Sequence, residues 1–559
     1  MHHRPRDPAG HGAMGHVTAS REVLSEAHDD PAPRSATAAL RRALRPRQWP
    51  VIAAWVLGVA VGFTVYLQLA RTRAVNSDGA SQALQAWDML HGNPLLRGWT
   101  LSDVSFYTTE LPQYMLVELA RGLNADVVHV AAAMTYTLAI LLAALLAKGN
   151  ATGRAAVPRV LLAAGVMLAP QLDSGVNVLV SSPDHIGTSV PVMVAWLILD
   201  RARPRWYVPV VTAAILGWAQ VADVLVLYVG VLPLVLVCAF RAGRAVLRER
   251  RPLSAQWYDL ALAGCALVAA AAAMLTLHLI HSHGGFYAPA PATQFAKAGL
   301  IFGHNLRILG EGLLLLGGAD FIGMHAGIGM AFTVLHLAGV FLAAWAICLT
   351  AWRFLRERDL VIQLLFAGLL INLATYVIST HAQAVSSTRE IAAVLPLGAA
   401  LTGRQLAGRL MSAKPVPVLL GAVLLGYLAG LVHEISQPMV PAQNQQLTTW
   451  LEARHMSGGL SGYWQSNIVT LTSGDRVQIR LVSPGHGRLA RGVLETRSTW
   501  YDPHRSTADF VVLSPGVPGY TGFSDMKAVL AAFGKPARVY HVGGDTVLVW
   551  HKNLLAALR

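Results

Sequence analysis

Ionisable residues recur in this chain at one kind of place, the end of a long apolar run. Asp78 follows the first such run, and Glu110 closes the polar interval after it. Asp184 and His185 stand before a later run, and Arg389 with Glu390 before another. A carboxylate in such a place can take a proton from a hydroxyl as a general base, or bind a divalent cation through oxygen. An arginine can grip a phosphate by two parallel hydrogen bonds. Trp87 and Tyr107 lie in the same first interval, Asn76–Tyr114, and offer rings for stacking on a sugar. Each residue also has a plainer reading. Asp78 and Asp184 fit helix caps, Arg389 fits a headgroup anchor, and the aromatics fit an interfacial belt.

The elements that position these groups follow from composition. The 559 residues are 54% hydrophobic and only 13% charged, against about 25% charged in soluble domains. Many near-uncharged runs of about 20 residues identify a multi-pass α-helical membrane protein. The net charge of +14 does not point to nucleic acid, because the arginines cluster in short loops between apolar runs. The three cysteines all lie in apolar segments, which speaks against structural disulfides or a thiolate metal site.

Taken in order, residues 1–48 read as a disordered basic tail. Apolar runs then predict about eleven transmembrane helices within 49–433, with an outer loop at 71–126. The approximate spans are 50–70, 127–147, 158–172, 186–200, 206–221, 224–240, 257–280, 328–351, 360–379, 391–403 and 415–433. The third span is expected to exit at Gln171–Asp173. The segment 298–318 is apolar but holds His304, Asn305, Arg307 and Glu311, and reads as an interfacial or re-entrant helix. The stretches assigned to the cytoplasm hold 22 Lys or Arg between Arg34 and Lys414, against seven in the outer loops. That asymmetry sets the amino terminus inside and the carboxyl terminus outside. Ala80, Leu84, Trp87 and Leu90 recur at helical spacing and predict an amphipathic helix on the membrane surface. Residues 434–559 predict an extracytoplasmic α/β domain. There, 466–483 reads as two strands around a Ser-Gly-Asp turn, DFVVLS as a strand, DMKAVLAAFG as a helix and ARVYHVGGDTVLVWHK as a hairpin.

No Walker A, dinucleotide-binding, HExxH or GxSxG pattern occurs. Acids and one arginine carried by four loops to one membrane face are instead the parts needed to move a sugar from a phosphate-linked lipid.

Asn76-Ser77-Asp78 soon after the first span, a helix in the first outer loop, about eleven spans and an α/β tail together resemble the GT-C superfamily of integral-membrane glycosyltransferases. The resemblance covers residues 50–559 as an architecture. It implies a polyprenyl-phosphate-linked sugar donor, a cell-envelope glycan, lipid or protein acceptor, and no nucleotide. It also implies Asp78 as catalytic base, and Asp184 or Glu110 as the second acid. Arg389 falls at the basic position near the donor phosphate. Asp184 is the expected ligand if a divalent metal (Mg or Mn) takes part. The chain lacks two adjacent acids in the first loop, and Gly462-Tyr463-Trp464 stands where a WWD-type motif is sought. Those departures argue against an oligosaccharyltransferase. The Ala- and Arg-rich composition suits a high-GC bacterium and its plasma membrane. A second reading is a transporter or flippase for a lipid or envelope precursor, with Gln220, Asp223, His278 and Asn372 as its deeper polar groups. A third is a non-catalytic scaffold.

Overall fold

The computed structural model describes residues 49–168, 174–289, 293–485, 488–516 and 522–558. The predicted tail at 1–48 and the exit at Gln171–Asp173 lie outside them. The chain divides into two units, Met1–Gly58 and Val59–Arg559. Of the first, only the leading turns of the helix Trp49–Ala70 are described. The second unit carries every later element.

Among the described residues eight helices are long and apolar enough to cross a membrane. They are Trp49–Ala70, Asp126–Lys148, Leu227–Leu247, Leu253–Ser282, Ala298–Leu316, Ile328–Arg353, Leu360–Ile378 and Pro415–Ile435. The protein is thus a multi-pass membrane protein, but the count differs from the expected eleven or so. The predicted third, fourth and fifth spans are helices of 11, 13 and 16 residues, Ala156–Val166, Ser189–Arg201 and Tyr207–Ala222. At 1.5 Å per residue each falls short of the roughly 30 Å apolar core. The predicted tenth, Val394–Ser412, carries Arg404 and Arg409. Conversely, 298–318 is one of the eight. Its Asn305 side chain donates to the carbonyls of Val377 and Ser379 at 2.7 and 2.9 Å, so a neighbouring helix end satisfies the amide that lipid could not.

The helix after the first span differs from expectation in its surroundings. Asn76 caps Ser77–Leu90 by accepting the Gly79 N–H. Apart from Asp78, every side chain from Ser77 to Ala86 is buried. A Cβ on Gly79 would lie 2.7 Å from Val128, so glycine here permits close packing against Asp126–Lys148. The helix is enclosed by protein rather than laid on a surface. Leu116 and Leu119, 65% and 71% exposed, instead give the next helix, Glu110–Arg121, an open apolar face.

Beyond Pro415–Ile435 the chain builds a six-stranded mixed sheet in the order β4-β3-β2-β6-β8-β7. Its strands are β2 (Gly458–Ser461), β3 (Gln478–Gly485), β4 (Arg488–Arg491), β6 (Phe510–Leu513), β7 (Arg538–Val542) and β8 (Asp545–Val549). The strand at 510–513, the helix Met526–Phe533 capped by Asp525, and the hairpin β7–β8 match the expectation. The predicted strand at 466–472 is instead the helix Tyr463–Thr472. Its Ile468 and Leu471 enter the same apolar core as Val75, Ala80, Leu84, Tyr114 and Val128. The short strand β1 (Trp99–Thr100) pairs antiparallel with β5 (Thr496–Arg497). The first loop and the carboxyl-terminal segment therefore share one core and one strand pair.

Candidate active site

Asp78 occupies the first turn of Ser77–Leu90. Its Oδ1 accepts a 2.6 Å hydrogen bond from the Tyr463 hydroxyl, and its Oδ2 lies 3.8 Å from Nη1 of Arg389. Gln82, one turn on and hence on the same face, donates its Nε2 to Asp184 Oδ1 at 3.4 Å. The helix thereby presents Asp78 and holds the Asp184 loop beside it. The Asp78 and Arg389 side chains remain 28% and 46% exposed, so the pair is open to a ligand.

Burial raises the Asp78 carboxyl above its ordinary range. The Tyr463 hydrogen bond and Arg389 oppose that rise, while Asp184 adds to it. Arg389 is held more firmly protonated, by Asp184 first and by Asp78 and Glu390 besides.

A buried knot supports these groups. His185 Nδ1 lies 3.1 Å from Asp223 Oδ2, and its Nε2 lies 3.6 Å from Glu390 Oε1. Asp223 also accepts from the Thr188 hydroxyl and, at 2.8 Å, from the Leu225 N–H. Burial works against a charged imidazole here, but Glu390 and Asp223 outweigh it and raise His185 to about 10. At neutral pH both ring nitrogens are donors. Arg389 and Glu390 sit side by side on the short 3₁₀ helix Val385–Ile391, so the knot fixes the backbone that aims Arg389 at Asp78. Asn372 adds a bond to the Glu390 carbonyl at 3.3 Å.

Of the residues singled out in the sequence, Asp78, Asp184, His185, Arg389 and Glu390 are brought together. Asn76, not Asp78, is the helix cap, and the Asp184 side chain accepts from Gln82 rather than capping a helix. Glu110 is 2% exposed, bonded to the Thr109 hydroxyl and pressed against Gly187. Burial raises it to about 8. It lies behind the His185 knot, not in an open loop. Trp87 is at the far end of its helix, about 13 Å along the axis from Asp78, with its ring 4.1 Å from that of His91. The Tyr107 hydroxyl is engaged with the Pro94 carbonyl at 2.8 Å, and its ring packs on Phe286. Neither aromatic makes a hydrogen bond or ring contact with the clustered acids. Asp88 is structural. It accepts from Asn93, Trp99 and Arg497 at 2.6, 2.7 and 2.7 Å.

Sequence reading missed Gln82, Tyr463 and Glu495, and placed Asp223 in a deeper transport site. The break between two apolar runs marks Asp223, and the i+4 spacing from Asp78 marks Gln82. Tyr463 stands in the sequence only as part of Gly462-Tyr463-Trp464, a departure from a sought motif, and no local signal marks Glu495. His278, named with Asp223, is exposed on its helix.

No family model matches the chain, and no curated protein matches it. Solved structures do. Crystal structures of ArnT from Cupriavidus metallidurans, bound to undecaprenyl phosphate and in the apo state, superpose with TM-scores of 0.53 and 0.52. Sequence identity is 14% and 16%. The match covers 88% and 91% of this chain and 97% and 99% of those chains. The chain has the ArnT fold. At this identity the likeness reaches the fold alone, its spans and its terminal domain. The Archaeoglobus fulgidus oligosaccharyltransferase also matches, with a TM-score of 0.47 and 14% identity over 83% of this chain and 69% of that one.

Proposed function

We propose that this protein is a membrane glycosyltransferase that moves a sugar from a polyprenyl-phosphate donor to a cell-envelope acceptor on the outer face of a bacterial plasma membrane. The observation that carries the reading is the meeting of Asp78, Asp184 and Arg389, from three separate parts of the chain, at one partly open place. The ArnT fold supports it, since one of those matching structures holds undecaprenyl phosphate. The Lys and Arg distribution supports the outer face.

In this reading Asp78 takes the proton of the acceptor hydroxyl while its oxygen attacks the anomeric carbon. The carbon–oxygen bond to phosphate breaks, and the lipid phosphate leaves with the electron pair. Arg389 meets that developing charge with its fork of N–H donors. A single displacement of this kind inverts the anomeric centre. Asp78, Asp184, Asp223 and Glu390 outnumber the cations Arg389 and His185, so a phosphate is favoured by an added cation. Among the described residues no group of three His, Cys, Asp or Glu forms a closed metal site. If Mg²⁺ or Mn²⁺ takes part, Asp184 would be an oxygen ligand that holds it, and the ion would supply charge neutralisation at the donor phosphate.

The test is transfer from a labelled polyprenyl-phosphate sugar in membranes, comparing wild type with Asp78→Ala, with and without chelator. Loss of transfer in the variant is expected. Full transfer by Asp78→Ala removes it as the base.

A further inference from the structure

We infer that Tyr463 and Glu495 of the carboxyl-terminal segment are positioning residues for Asp78, acting through one proton shared between two carboxyl groups. This inference rests on the reading of Asp78 as the base.

The Tyr463 hydroxyl lies within hydrogen-bond reach of two carboxyl oxygens, Oδ1 of Asp78 at 2.6 Å and Oε2 of Glu495. A phenol has one proton to donate. For both contacts to be hydrogen bonds, one carboxyl must carry a proton and donate it to the phenol oxygen. Two ionised carboxylates on one hydroxyl would leave a buried contact unpaired and repulsive. The surroundings decide which group is protonated. Asp78 faces Arg389 and is partly open, whereas the Glu495 residue is 6% exposed. The charges around Glu495 are the carboxylates of Asp78 and Asp184. Hydrogen bonds from Ser81 and Tyr463 favour the ionised form of Glu495, but burial and the two carboxylates outweigh them. The proton therefore belongs to Glu495, and Tyr463 donates to Asp78. Burial first, and Asp78 second, raise Glu495 to about 8, so it keeps that proton at neutral pH.

The backbone supports the same assignment. Glu495 has φ of 51°, in the left-handed region that a residue with a long side chain seldom occupies. Asn467 Nδ2 holds its carbonyl at 3.1 Å, and the next residue, Thr496, begins the strand pair with β1. Such a conformation persists where surrounding structure enforces it, and it clusters at functional sites. Here it turns an acid inward at one hydroxyl's distance from Asp78. With Oδ1 tied by Tyr463, the Arg389-facing Oδ2 is left to receive the acceptor proton.

The experiment measures transfer from a labelled polyprenyl-phosphate sugar across pH 6–9 (roughly the range that brackets a carboxyl raised by burial) for wild type, Glu495→Gln, Glu495→Ala and Tyr463→Phe. Wild type is expected to lose kcat on the alkaline side with an apparent pKa near 8. Glu495→Gln, whose amide donates as the protonated acid does, keeps kcat within about threefold and lacks that alkaline loss. Glu495→Ala and Tyr463→Phe lower kcat by about 10–100-fold with little change in KM, the loss expected for one hydrogen bond to a charged group. Glu495→Ala at the wild-type rate, or Glu495→Gln as slow as Glu495→Ala, overturns the inference. Infrared difference spectra of wild type against Glu495→Gln read the shared proton without any activity. A carboxylic-acid carbonyl band at neutral pH is expected, and its absence overturns the inference even if transfer itself is never detected. Full transfer by Asp78→Ala instead overturns the function on which the inference rests.

Discussion

Nη1 of Arg389 lies 3.8 Å from Oδ2 of Asp78, close enough to attract but longer than a charge-assisted hydrogen bond. The two charges face one another across a gap that a substrate can enter. Removing either is therefore expected to affect chemistry more than folding. Asp78→Asn should lower kcat by about 10²–10⁴-fold, the usual contribution of a general base. Arg389→Lys keeps the charge but loses the planar fork, and should cost about 10-fold or more in kcat/KM for the donor. Donor-concentration series for the two variants check this. An Arg389→Lys enzyme indistinguishable from wild type would remove the phosphate grip.

Gly187 is required by Glu110. A Cβ at position 187 would overlap the Glu110 carboxyl and approach the Asp184 carbonyl to 3.2 Å. Gly187→Ala should thus shift the turn that carries Asp184 and His185 and reduce transfer about 10–100-fold, since small displacements at a site carry large rate effects. Shortening the opposing side chain relieves the overlap. The double variant Gly187→Ala/Glu110→Ala should recover activity relative to Gly187→Ala alone, a coupling that a double-mutant cycle measures directly. Strictly additive losses would refute the packing argument.

Glu118 gives a stability prediction. It is 2% exposed, neither carboxyl oxygen accepts a hydrogen bond among the described residues, and burial raises it from 4.5 to about 9. Glu110 is raised in the same direction, to about 8. The folded chain binds these protons more tightly than the unfolded chain. Stability from this source is complete below the ordinary carboxylate range and is lost as pH climbs from about 4.5 toward 8–9. Glu118→Gln cannot ionise, so its melting temperature should exceed that of wild type by a margin that widens between about pH 5 and 9. Thermal unfolding in detergent at several pH values checks it; a constant margin would refute the assignment.

Arg404 marks the end of the bundle opposite the site. It is 7% exposed, bonded to Asp200 at 2.5 Å, Asp359 at 2.8 Å and the Leu146 carbonyl at 2.8 Å. Arg404→Met leaves two carboxylates facing each other and should destabilise by about 3–5 kcal/mol. KM for the donor in the surviving folded fraction should be unchanged. Unfolding midpoints of Arg404→Met and of Arg404→Met/Asp200→Asn, the second partly restored, distinguish charge imbalance from lost packing.

Much of the site was legible because its residues stand at the ends of apolar runs. Asp78, Asp184 and Arg389 interrupt runs that lipid would otherwise favour, and the Lys and Arg distribution gathers those interruptions on one face. Asp223 was visible as an interruption but was assigned to a deeper place, since its partner His185 is 38 residues away in sequence. Tyr463 and Glu495 were not legible, because what defines them is contact with residues far away in the chain. The same contact explains the misread strand at 466–472. Ile468, Val469 and Thr470 favour a strand locally, yet the segment forms a helix because Ile468, Leu471 and Asn467 pack against the Ser77–Leu90 region. The span count departed from expectation for another reason. Apolar composition records what avoids water, not how long a helix runs before it meets neighbouring protein.

Asp78 and Tyr463 are 385 residues apart. At about 5–20 residues per second of synthesis, the tyrosine emerges on the order of 20–80 s after the aspartate. During that interval the first loop has left the translation machinery but lacks the helix that completes its apolar core and the hydroxyl that ties its carboxylate. A reading frame that ends after Pro415–Ile435 would release a chain with the eight described membrane-crossing helices and an unfinished site. The order of synthesis thus places completion of the candidate site after synthesis of the eight described membrane-crossing helices.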